Sequence, residues 1–382
     1  MHLVPDAERD VLKLVTSPGA RWRLLDRARA MLVGLLSKLG NYQSFESGPR
    51  VTVPLLRSGG VGVALSVLYS PFDEMDLGLR YPGEPQDHYL PTILRQLEAV
   101  ERDISTNFDS EAAIARNPTE LDAALEAGKV ALVHCIEGGF HLGPDPERMD
   151  EAVRELARRG VAYVTVAHLF YRRVATNANA IPFLPDPVYR LLFPQPQLGL
   201  TPLGEAVIRA MVAERVLIDL AHMSERALDD TFILLDEVDP ARDVPVVISH
   251  GAVRFGNDAY NLSAATIERV AARDGVIGLI LAENLATDGI RLRRTTKIEQ
   301  SLDVLFRHLD RLREITGSHR HSAIGTDLDG FIKPTLAGLE DTGRIARIEA
   351  ALVERYGADD AELITSGNGL RLLRGYWRGA AA

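Results

Sequence analysis

The stretch Val216-Leu-Ile-Asp-Leu-Ala-His222-Met-Ser224 constrains the fold more than any other part of the chain. Every position before His222 is apolar except Asp219, the pattern of a strand buried on both faces of a parallel sheet. Ser224 then has the chemistry of a helix N-cap, with apolar positions resuming at Ala227 and Leu228. Ligand-type residues at the carboxyl end of a buried strand, just ahead of a helix, are where a β/α barrel places its chemistry. The same grammar returns one β/α unit later, where Val244-Pro-Val-Val-Ile-Ser-His250 again ends in histidine.

Five further buried runs complete the count of predicted strands. Val61–Tyr69 follows Gly59-Gly60 and is ended by Pro71, and Lys129–Ile136 delivers Glu137-Gly138-Gly139. Val161–His168 ends in histidine, Gly275–Leu281 follows the helix expected after Ser263, and the short run from His321 delivers Asp327 and Asp329. Helical periodicity fills most of the spaces between them: Ile93, Leu97, Val100 and Ile104; Met149, Ala152, Val153 and Leu156; Leu305, Leu309 and Leu312. Residues 7–40 are expected to be largely helical, 171–200 to form a long loop of a length that is usually functional or disordered, and 342–375 to be closing helices. The reading is one domain over 1–382, a TIM-like (β/α)8 barrel one strand short of closure, with an N-terminal helical segment and C-terminal helices.

Composition narrows the function. A chain of 382 residues with 46% hydrophobic residues can bury one large core. Net charge is -10 and no Lys/Arg cluster recurs along a face, which argues against nucleic acid or anionic membranes as partners. The apolar run 30–36 is too short to span a bilayer, and a cytoplasmic protein is the default expectation. The lone Cys135 excludes an intramolecular disulfide and a cysteine zinc cluster, and reads as a buried core thiol.

Glu137, His168, His222, His250 and Asp327 all stand at strand ends and would converge only if the sheet closes. Neutral imidazoles and carboxylates are the ligands that zinc takes as a Lewis acid. Singly, a strand-end histidine is more often structural, but five such groups in register favour a metal site. His88, His134, His141, His308, His319 and His321 are read as structural, and Asp219 as an acceptor that orients a ligand histidine.

These segments resemble the signatures of the membrane (renal) dipeptidase family of zinc peptidases, a group of amidohydrolase-like barrels. The resemblance rests on Glu137-Gly-Gly, Leu200-Thr-Pro-Leu-Gly204, Ile218–Ser224, Ser249-His250 and Gly325-Thr-Asp-Leu-Asp-Gly330, and spans roughly 52 to 372. It implies a barrel of the metal-dependent hydrolase type with two zinc ions that hydrolyses dipeptides, and members are often homodimers. Carried over by position, Glu137 bridges the metals, His222 and His250 complete one zinc site, His168 contacts substrate, and Asp327 is the acid/base.

Two departures shape the expectations. The family's first zinc site takes a His-x-Asp or His-x-His from a first strand, and this sequence has no such motif at its start. Met1-His2-Leu3 is similar to residues just past that strand, so the expectation is a start at an internal Met, with His2 as a candidate leftover ligand and one zinc ion as the alternative to two. At Tyr260-Asn261 the family has Arg-Asn, and Tyr cannot supply a charged fork for the substrate carboxylate. Tyr260, Asn261 and Arg254 are therefore the candidate substrate-binding residues, with Arg172 as a second source of the charge. The competing readings are a single-zinc amidohydrolase acting on another amide, and a catalytically silent barrel that only binds a ligand.

Overall fold

The structure is a computed structural model, and it describes residues 49–76, 79–330 and 334–380 together with Ala28, Met31, Leu32 and Leu35, the last four in helical conformation. The rest of the expected 7–40 helix and the candidate His2 lie outside the described residues.

Eight parallel strands form one sheet: β1 Val63–Leu68, β2 Ala112–Ile114, β3 Val130–Glu137, β4 Tyr163–Thr165, β5 Leu217–Asp219, β6 Val246–Gly251, β7 Val276–Leu279 and β8 Ser322–Ile324. The seven expected strands are the continuous path β1-β3-β4-β5-β6-β7-β8, and among the described residues no pairing joins β8 back to β1. β2 was not legible in the sequence, because its three residues carry no apolar run of strand length.

Hydrogen bonding shows how β3 accommodates three neighbours. In a parallel strand, alternate residues present their N–H and C=O to opposite edges. Ala131 donates to Gly62 on the β1 side. On the other side, Val130 donates to Glu111 and Leu132 accepts from Ala115, so β2 covers the first half of that edge. His134 then accepts from Ala162, and β4 takes over to the strand end.

The connecting helices follow their sequence signals. Asn117, Asp145, Thr201, Ser224 and Ser263 each accept a backbone N–H inside the first turn of the helix they open. All five of those helices stand between consecutive, paired strands of the sheet, which makes this the repeating β/α layer inferred from periodicity. Their apolar faces, including Leu156, Ile208, Met211, Leu235 and Ile267, are buried. Each such side chain contributes about 1.5–3 kcal/mol relative to exposure.

The expected loop at 171–200 is ordered and contains a helix, Asp186–Leu192. Its prolines hid that helix, since Pro187 falls in the first turn, where a missing N–H costs nothing. The segment carries its own apolar cluster of Leu169, Phe170, Ile181, Leu184, Tyr189 and Phe193, separate from the main core. Among the described residues no helix is long and apolar enough to cross a membrane.

Candidate metal centre

The strands deliver their functional groups at or just beyond their carboxyl ends. Glu137 is the last residue of β3, and the chain turns at once through Gly138, whose φ of 98° is one that glycine adopts without strain. A Cβ on Gly138 would collide with the Phe140 ring. His168, His222 and Asp327 each follow the last residue of β4, β5 and β8 by three positions, and His250 lies in β6 itself. His222 takes φ 66° and Asp327 φ 50°, left-handed conformations that turn the chain where a continuing strand would run past the mouth.

Three of these groups converge. His222 Nε2 and His250 Nε2 are 2.8 Å apart, and Glu137 Oε1 lies 3.5 and 3.6 Å from them. They form the one metal-competent cluster found among the described residues. A tetrahedral zinc with bonds of about 2.0–2.2 Å spreads its ligand atoms roughly 3.3 Å apart, so the spacing suits such an ion once the imidazoles part slightly. The donor chemistry agrees. His222 is held below its ordinary pKa by burial and by the charge of His168, which keeps its ring neutral.

The second oxygen of Glu137 faces the other way, 3.4 Å from His168 Nε2. Burial alone would push the Glu137 carboxyl up, but the charge and hydrogen bond of His168, with help from His222 and His250, hold it well below the carboxylate range. Burial alone would likewise depress His168, yet Glu137 and Glu74 bring it up to about 10. Its imidazolium thus sits between two carboxylates. Asp327 has the opposite character. Burial, reinforced by the charge of Glu137, pushes its carboxyl up to about 6 against the pull of His250 and His168.

All five groups line one cavity of about 550 Å³, whose walls continue down apolar residues of β1 and β8 such as Leu65, Val67 and Ile324. Tyr260 lines it too, with its ring 5.1 Å from that of His222 and its hydroxyl donating to the His250 carbonyl at 3.1 Å. Asn261 and Arg254 stand behind this wall rather than in it. The Asn261 amide donates to the Leu285 carbonyl, and the Arg254 guanidinium bonds Glu225 and the Asn261 carbonyl. Arg172 is buried away from the cavity with its guanidinium on the Tyr89 hydroxyl.

Asp219 does not touch a ligand histidine as expected. It accepts from the Ser249 hydroxyl at 2.6 Å, and that hydroxyl stands 2.8 Å from His250 Nδ1, so the orienting effect passes through Ser249. Sequence reasoning also missed Glu74, which bonds His168 Nδ1 at 2.8 Å. Its signal was available, since Glu74 is an acidic residue just past a buried strand, in the short helix opened by Pro71.

Residues 20–377 match the family model described as membrane dipeptidase, peptidase family M19. The chain is 24% identical over 316 residues to dipeptidase tcpJ of Claviceps purpurea (strain 20.1), covering 82% of this chain and 67% of that protein. Among solved structures it is similar to dipeptidase AC, an M19 metallopeptidase, with TM-score 0.69, 18% identity and coverage of 94% and 97% of the two chains. It is equally similar to a metallopeptidase from Rhodobacter sphaeroides bound to a phosphinate mimic of the dipeptide L-Ala-D-Ala, with TM-score 0.69, 18% identity and coverage of 94% and 98%. These structural likenesses establish the TIM-like β/α fold.

Proposed function

This chain belongs to the membrane dipeptidase family, and on that premise we propose that it is a zinc-dependent dipeptidase hydrolysing the peptide bond of small peptides. The observation that carries the reading is the meeting of Glu137 Oε1, His222 Nε2 and His250 Nε2 in the cavity, which His168 and Asp327 also line. Glu137, His222 and His250 would hold the metal, and zinc bound there would supply Lewis acidity that polarises a carbonyl and acidifies water.

The remaining chemistry belongs to the chain's own residues. His168, kept protonated by its two carboxylates, donates a hydrogen bond to the substrate carbonyl oxygen as negative charge builds on it. Asp327, with its carboxyl near 6, exchanges a proton in the neutral range. It takes one from the attacking water and returns it to the leaving amine, a role worth about 10²–10⁴ in rate. Tyr260 forms the side of the cavity next to the metal histidines.

The described residues supply one three-ligand set, with the free oxygen of Glu137 directed at His168, so at least one zinc ion per chain is expected. The test is elemental mass spectrometry on protein purified without chelator, paired with hydrolysis of L-Ala-D-Ala followed by release of alanine. Cleavage that a chelator removes and zinc restores supports the reading. Full activity without metal, or zinc-loaded protein inert toward a panel of dipeptides, overturns it.

A further inference from the structure

Glu74 is a completely buried carboxylate with every oxygen engaged, and none of its partners belongs to the metal cluster. Oε1 accepts the backbone N–H of Phe170 at 2.9 Å. Oε2 accepts the Tyr69 hydroxyl at 2.5 Å and faces His168 Nδ1 at 2.8 Å. The side chain therefore grips His168 twice, once by its ring and once through the backbone two residues on. Tyr69 completes the enclosure, with its ring packed edge-on against the His168 ring at 4.6 Å between centroids.

A carboxylate in this setting only accepts, so the ring nitrogen facing it must carry the proton. With Nδ1–H fixed on Glu74, the nitrogen that faces the cavity and Glu137 is Nε2. We infer that Glu74 is a positioning residue for the reaction: it fixes the orientation of His168 and the proton on Nδ1, so that Nε2 is always the nitrogen that meets the substrate. The inference rests on the proposed function for the identity of the reaction, but the geometry of the clamp does not depend on it. A fixed ring removes the rotational freedom that a substrate contact would otherwise have to freeze.

Glu74→Gln separates this role from mere packing, because the amide matches the carboxylate in shape but not in hydrogen bonding. The Gln oxygen must stay on the Phe170 N–H, which cannot reorient. Its amide nitrogen then falls beside His168 Nδ1 and donates to it, so a neutral ring must carry its proton on Nε2 instead. ¹⁵N NMR of histidine-labelled full-length protein reads this directly, with His168→Ala identifying the signals. The wild type is expected to show a protonated Nδ1 on His168, and Glu74→Gln to lose that signature. Dipeptide kcat is expected to fall about 10–100-fold with KM changed far less, the usual scale for groups that orient a working histidine. In a His168→Ala background the same substitution should cost nothing further.

A wild-type His168 protonated on Nε2 alone overturns the inference without any variant, which covers the case of Glu74→Gln failing to fold. A changed tautomer with unchanged kcat overturns the positioning role. A wild type that cleaves no dipeptide refutes the proposed function instead, and leaves the NMR signature to decide the clamp.

Discussion

Asp219 offers the sharpest test of how this fold holds a metal. Its carboxylate is fully buried and accepts four hydrogen bonds: Thr165 hydroxyl at 2.5 Å and Ser249 hydroxyl at 2.6 Å on Oδ2, Ser249 N–H at 2.8 Å and Ala221 N–H at 3.1 Å on Oδ1. Because the Ser249 hydroxyl gives its hydrogen to Asp219, it must accept from His250 Nδ1, which leaves the Nε2 lone pair free for a metal. In Asp219→Asn the amide nitrogen has one place to go. Set against the two backbone N–H groups it would strand buried donors at about 1–3 kcal/mol each, whereas the hydroxyls on the other side can rotate and accept. The Ser249 hydrogen, displaced from Asp219, then turns to His250 Nδ1 and drives the ring proton onto Nε2. A ligand nitrogen carrying a proton cannot bind metal. Zinc affinity, read by competition with a chromophoric chelator, should drop about 10–100-fold, or about 1.4–2.7 kcal/mol. Ser249→Ala should act in the same direction, and the double variant should lose no more than the worse single. Folded Asp219→Asn protein with wild-type zinc affinity refutes the chain of reasoning.

Two other substitutions probe separate parts of the molecule. Asp327→Asn is expected to lower kcat by about 10²–10⁴-fold with little change in zinc content, measured by steady-state kinetics and metal analysis. In the wild type the acid limb of kcat should lie at or below about 6, since the base form is the one that accepts a proton and a bound cation favours it. His308 accepts the Val253 N–H on Nδ1 and stands 2.8 Å from the Ala286 carbonyl on Nε2, an arrangement that only the neutral ring satisfies, and burial lowers its pKa to about 4. Between about 4 and 6.5 the folded state binds fewer protons than the unfolded one, so stability falls as pH falls, by about 2 kcal/mol at pH 5 from this residue. Urea unfolding of wild type and His308→Gln at pH 7.5 and 5 checks it: equal losses in the two proteins would refute the assignment.

The fold was legible where an apolar run or a ligand-type strand end marks the strand: β1 and β8 were read although they are partly exposed, and β2, with neither mark, was not. β3, β5 and β6 announce themselves because both faces are covered and almost every side chain is apolar. β2 has three residues, two of them half-buried, and nothing in Ala112-Ala-Ile114 distinguishes it from a turn. The site divides in the same way. Glu137, His168, His222, His250 and Asp327 could be found because strand ends are fixed points of a barrel, and their register follows from the sheet. The pairing of Glu74 and Tyr69 with His168, and of Ser249 with Asp219, joins segments distant in sequence, so that although Glu74 itself stands at a legible strand end its partner does not follow from spacing. Arg254 and Asn261 illustrate the converse: close in sequence to the wall, they do not line the cavity, and Arg254 is committed to the Asn261 and Ala259 carbonyls.

The separate apolar cluster of residues 169–193 makes the molecule modular. Its side chains pack on one another, and Asn177 ties the segment internally through the Leu169 and Ala178 carbonyls and the Tyr189 hydroxyl. Leu169, Ala180 and Pro182 from this segment form part of the cavity wall. Substrate preference can therefore drift by exchange of residues here without repacking the barrel. Phe170 is one joint between the cluster and the barrel, since its ring belongs to the cluster while its N–H rests on Glu74, and Ala178, whose N–H donates to the His222 carbonyl, is another. Latitude in the wall is confined to the cluster's own side chains: Val174, Ala175 and Ala178 pack in the barrel core, and the peptide that anchors His168 is held by Glu74.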